Sequence, residues 1–100
     1  MDYKKIKFLI SEVIANAEKN MRSEEFTAFS SFDATRKITS PVLGKVIRKF
    51  APKAKKIKVE IERVYERRKR DYFTNLTVTI DKKVELFTPA TFINYVLVNL

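Results

Sequence analysis

The chain has 100 residues, 45% hydrophobic and 33% charged, the composition of one small folding unit without room for a second domain. It contains neither cysteine nor histidine, which excludes disulfides, thiolate nucleophiles, thiol or imidazole metal ligands and the usual general base near neutral pH. The net charge of +9 is concentrated: residues 41–70 hold 12 Lys/Arg against 3 Asp/Glu, residues 1–40 hold 7 against 6, and residues 71–100 hold 2 against 3.

In chain order, Ile6, Leu9, Ile10, Val13, Ile14 and Ala17 fall on one stripe of an amphipathic helix, with Asp2 as N-cap and Asn20 as a left-handed stop. Residues 21–39 give conflicting signals: Phe26, Phe29 and Phe32 are spaced as on a helix, while Phe26, Ala28, Ser30 and Phe32 alternate as in a strand. The phenylalanines are expected in the core. Ser40 and Pro41 then open a second helix whose apolar face is Val42, Leu43, Val46, Ile47 and Phe50, and Pro52 ends it. Gly44, the one glycine, suggests close backbone packing there or is incidental.

Two half-buried strands follow, with Ile57, Val59 and Ile61 alternating in the first and Leu76, Val78 and Ile80 in the second. Paired antiparallel with position numbers summing to 137, they place Ile57 against Ile80, Val59 against Val78, Ile61 against Leu76 and Tyr65 against Tyr72. Only Arg63 and Thr74 interrupt that face. A turn at residues 81–83 leads into a short strand over 84–87, and Thr88 and Pro89 open a last helix carrying Phe92, Ile93, Val96, Leu97 and Leu100, with a strand as its alternative. Tyr95 and Val98 fall off its main stripe. The expected fold is α+β: an antiparallel meander of about three strands with two or three helices on one face, residues 1–100 forming a single domain.

A concentrated cationic block attracts polyanions. Its two parts are Lys45, Arg48, Lys49, Lys53, Lys55, Lys56 and Lys58, and the hairpin tip Arg67, Arg68, Lys69 and Arg70. The tip is the better phosphate-binding candidate, with a solvated turn as its alternative, and the helix-to-strand stretch has an ordinary polar helix face as its alternative; if the two lie side by side they make one anion-binding surface. The register sets Phe73 opposite Val64 on the outer sheet face, where it either stacks on an unpaired base or is covered. Glu60, Glu62 and Glu66, with Asp71, share that face and form an incomplete metal-ligand set better explained by cross-strand ion pairs. No catalytic residue, metal site or cofactor is expected.

The leading expectation is nucleic-acid binding, with RNA or single strands preferred. The alternative is an inhibitor or adaptor docking on an acidic protein surface, for example a phage or mobile-element factor blocking a host enzyme. A small basic nuclease ranks below both. Residues 1–7 lead into an amphipathic segment, and no apolar run nears the ~20 residues that span a bilayer, so a cytoplasmic protein without membrane contact is expected. Dimerisation stays open, because a domain this small buries only about two-thirds of its unfolded surface.

Overall fold

The computed structural model describes residues 2–21 and 34–100. Their elements are α1 (Tyr3–Asn20), β1 (Ala34–Thr39), α2 (Pro41–Arg48), β2 (Ile57–Glu66), β3 (Asp71–Ile80), β4 (Lys83–Phe87) and α3 (Pro89–Asn99). The strands form one antiparallel sheet in the order β1-β2-β3-β4. The fold is therefore α+β, with β1 as a strand beyond the expected three. Phe26, Phe29 and Phe32 lie outside the described residues.

All ten pairs of the β2–β3 hairpin follow the register expected from alternation, from Ile57 against Ile80 to Glu66 against Asp71. One face is lined by Val59, Ile61, Leu76 and Val78, which meet Ile10, Ile14 and Ala17 of α1, Leu43, Val46 and Ile47 of α2, and Phe92 and Val96 of α3 in a single apolar cluster. Leu9 sits at the edge of the α1 stripe and is exposed.

The helix starts have the expected caps. Asp2 accepts the amides of Lys4 and Lys5, Ser40 Oγ accepts that of Leu43, and Thr88 and Thr91 form a reciprocal box ahead of Pro89. The C-terminus of α1 departs from expectation. Its cap is Met21 in a right-handed conformation rather than a left-handed Asn20, and the buried Met21 side chain anchors that last turn by packing.

Arg63 and Thr74, the polar pair within the apolar face, are matched by Glu18 of α1. Arg63 Nη1 donates to Glu18 Oε2 at 2.9 Å and to Thr74 Oγ1 at 3.0 Å, and Thr74 Oγ1 donates to the same carboxylate oxygen at 2.7 Å. The guanidinium also lies 5.0 Å from the Tyr72 ring centroid. A charge taken from water needs such partners, and Arg63 is thereby removed from the cationic surface.

Candidate functional site

The lysine-rich connection between α2 and β2 is a fixed piece of chain. Its start is held by Phe50, whose ring packs edge-on to Tyr95 at 5.5 Å, and by the amide of Ala51 donating to Ile47 O at 3.0 Å. Arg48 turns back over it, Nη1 donating to the carbonyls of Pro52 and Ala54. The far end is clamped by Asp81 in the β3–β4 turn: Oδ1 accepts the amides of Lys55 at 2.8 Å and Lys56 at 2.9 Å, and the Asp81 amide donates to Lys56 O at 2.8 Å. Asp81 makes this clamp from a positive φ of 54°, which aspartate tolerates better than most residues. The clamp also brings exposed Lys82 to the same end of the sheet as exposed Lys49, Lys53, Lys55 and Lys56. Lys82 is a member of this group that the linear charge count missed; an aspartate before two lysines in a turn was the available signal.

Beside this connection lies a cleft of about 360 Å³ between α2 and the start of β2. Lys45, Arg48 and Lys58 line it together with Thr39, Ser40 and Gly44, and among the described residues no carboxylate lines it. β1 ends at Thr39, opposite Glu60, and the Ser40 amide still donates to Val59 O at 2.8 Å, so among the described residues the edge of β2 is without a neighbouring strand at residues 57–58. Outside its own helix, no atom of the described residues lies within 4 Å of where a Cβ on Gly44 would stand. Close packing therefore does not explain the glycine; its missing side chain leaves the cleft open. On the open sheet face Lys58 pairs with Glu60, two residues along β2, at 3.5 Å, a carboxylate it shares with Lys37 at 3.9 Å.

The hairpin tip is elsewhere. Arg67, Arg68, Lys69 and Arg70 form an exposed turn in which the Arg70 amide donates to Arg67 O at 3.2 Å, and Arg70 has a φ of 50°. Lys69 pairs with Glu66 at 3.7 Å. The ten residues of β2 separate this tip from the lysine connection, which at ~3.3 Å per residue is about 30 Å. The two cationic stretches are thus at opposite ends of the sheet and do not form one continuous surface.

No family model matches the chain, and no curated protein or solved structure matches it.

The open sheet face between the two ends is acidic. Register and alternation place Glu60, Glu62, Glu66 and Asp71 there, against Lys37 and Lys58. Phe73, 41% exposed and opposite Val64, belongs to this face, with Glu62, Glu66 and Asp71 as near neighbours in the pairing. Phe73 also borders a shallow pocket with Glu66, Lys69, Asp71 and Tyr72, so it has both carboxylates and a cation of the tip beside it. Among the described residues no group of three Asp/Glu converges as a metal site.

A smaller cavity of about 110 Å³ is bordered by Tyr95, Lys83 and Glu85, well below the ~300 Å³ of ordinary ligand pockets. Lys83 donates to Glu85 at 2.8 Å, and that hydrogen bond and the carboxylate charge raise its pKa. Burial, with the nearby Glu85 charge, raises that of Tyr95. Among the described residues, no helix is long and apolar enough to cross a membrane.

Proposed function

We propose that this protein binds nucleic acid through its phosphate backbone, with the end of the sheet formed by α2, the lysine connection and the β3–β4 turn as the principal contact. The observation that carries this reading is the clamped connection, which holds Lys53, Lys55, Lys56 and Lys82 outward beside a cleft lined by Lys45, Arg48 and Lys58 and, among the described residues, by no carboxylate. Fixed backbone lowers the ordering cost of lysine contacts, and the potential of several cations in one place adds up. A flexible RNA or single DNA strand can bend a phosphate into such a cleft more easily than a stiff duplex. The tip residues Arg67, Arg68, Lys69 and Arg70 act as a separate second contact.

The test is a fluorescence-anisotropy titration of labelled single- and double-stranded RNA and DNA over a salt series. Each phosphate neutralised contributes about −0.7 to −0.9 to the slope of log K against log salt. Replacing Lys53, Lys55, Lys56 and Lys82 together by alanine is expected to flatten that slope by about 3 units. Binding with no salt dependence, or unchanged by this variant, refutes the assignment.

A second reading, an adaptor or inhibitor that docks on another protein, is favoured by one feature. Val84 and Leu86 on the edge strand β4 are 62% and 68% exposed on the open face, where isolated large apolar side chains side by side suit a protein contact. A stoichiometric partner that survives nuclease treatment and is lost on Leu86→Lys is the result this reading expects.

A further inference from the structure

We infer that the cleft between α2 and the start of β2 is a phosphate subsite, with Gly44 as its floor. The inference takes the source of the phosphate from the nucleic-acid reading, but the cleft itself stands on its own geometry. Two cations on successive turns of α2, Lys45 and Arg48, line it, and Lys58 of β2 borders it while its ammonium pairs with Glu60 on the open sheet face. Their charges differ in how firmly they are held. Arg48 is fixed by the carbonyls of Pro52 and Ala54, whereas Lys45 is exposed and Lys58 shares its carboxylate with Lys37. A fixed guanidinium with a movable ammonium group suits a tetrahedral anion, because the planar fork sets orientation while Lys45 closes on the remaining oxygens.

Hydroxyls add donors. The Ser40 oxygen already accepts the Leu43 amide, which leaves its own proton to donate, and Thr39 stands beside it in the lining. Gly44 supplies the space. A glycine inside a helix is less favourable than alanine, and here no described residue outside the helix requires it, since none lies within 4 Å of the absent Cβ. An occupant approaching the helix surface accounts for it. The occupant is a phosphate group, either a phosphodiester within a strand or a terminal phosphate.

The full-length chain labelled with nitrogen-15 provides the test. Inorganic phosphate and a short oligothymidylate, with and without a 5′-phosphate, are titrated against it while the amide signals of Gly44, Lys45 and Lys58 are followed. All three should shift saturably with inorganic phosphate. Lys45→Ala should weaken that binding by about tenfold, the scale of one lost charge-assisted hydrogen bond. Gly44→Leu, which fills the cleft, should abolish it, and the smaller Gly44→Ala should weaken it while leaving the protein at least as thermostable as the wild type.

Shifts confined to residues 53–56 or 67–70, or phosphate binding untouched by Lys45→Ala and Gly44→Ala, overturn the subsite even if the oligonucleotide still binds. Phosphate binding at the cleft with no oligonucleotide binding upholds the subsite and removes the nucleic-acid reading. A gain confined to the 5′-phosphorylated strand assigns the cleft to a terminal phosphate, and equal binding of both strands assigns it to a phosphodiester.

Discussion

Replacing Glu18 by leucine should destabilise the protein, and replacing Arg63 by methionine in the same chain should recover most of what was lost. Arg63 is only 6% exposed, and its Nη1 bonds run to Glu18 and Thr74. Its Nε is buried without a hydrogen-bond partner, so this site already carries an unfavourable contribution of about 1 kcal/mol. Breaking a fully buried ion pair from one side costs about 3–5 kcal/mol. The Glu18 side chain is 31% exposed, so water can reach the vacated position and the loss should be nearer 2 kcal/mol. Exchanging both charged partners for apolar ones of similar volume is commonly neutral or stabilising. Urea unfolding of the wild type, Glu18→Leu, Arg63→Met and the double variant closes the cycle, with an unchanged denaturant slope showing that the unfolded state is comparable. A double variant less stable than Glu18→Leu alone would show that the ion pair is a net source of stability and would sink this reasoning.

Gly44→Ala should stabilise the fold by about 1 kcal/mol, raising Tm by roughly 4–8 °C in a thermal melt, because the new methyl meets no neighbour and alanine favours the helix; a lower Tm would expose a contact or strain not evident in the structure. Asp81→Ala should raise hydrogen exchange at the Lys55 and Lys56 amides and cost about 1–2 kcal/mol, since both lose the same acceptor. Lys83 and Tyr95 have pKa values raised above their ordinary 10.5 and 10.0. The fold favours the protonated form of each, so the stability they contribute is complete below their unfolded values and is lost as pH rises through the folded ones. Tm should therefore fall at alkaline pH, and less steeply in Tyr95→Phe.

The parts of the fold that were legible in the sequence are those where one local signal dominates. Strict alternation from Ile57 and from Leu76 fixed the hairpin register, because a one-residue slip turns every apolar side chain to the wrong face. Ser40-Pro41 and Thr88-Pro89 announced their helices, since a capping hydroxyl followed by proline suits few other settings. β1 was not legible: Ile38 is the one large apolar residue among Ala34, Thr35, Arg36, Lys37, Ile38 and Thr39, and the strand is specified by pairing with β2 rather than by its own pattern. For the candidate site, charge density pointed to the cations but not to their grouping. Lys53 and Lys82 are 29 positions apart in the chain; the β2–β3 pairing brings the two segments to the same end of the sheet, and the Asp81 clamp fixes the connection there. Conversely, the count included Arg63, which the core retains.

The separation of the two cationic ends gives a direct way to decide what the hairpin tip does. Arg70 holds a left-handed conformation, where an L-residue with a Cβ is disfavoured by about 1 kcal/mol and glycine is not. Arg70→Gly should therefore stabilise the hairpin while removing one cation. If the tip is only a solvated turn, that is the whole effect. If it is the second phosphate contact, Arg70→Gly also weakens nucleic-acid binding, but only for ligands long enough to reach both ends. A duplex rising 3.4 Å per base pair needs about nine steps to cover the ~30 Å along β2, and a single strand, which extends further per nucleotide, needs fewer. Duplexes below that length should bind the wild type and Arg70→Gly alike, whereas longer ones should bind the variant less tightly and with a salt slope flatter by up to about one unit. Equal binding at every length would leave the clamped lysine end as the sole interface; weaker binding even of the shortest duplexes would place the tip, and not the connection, at the centre of recognition.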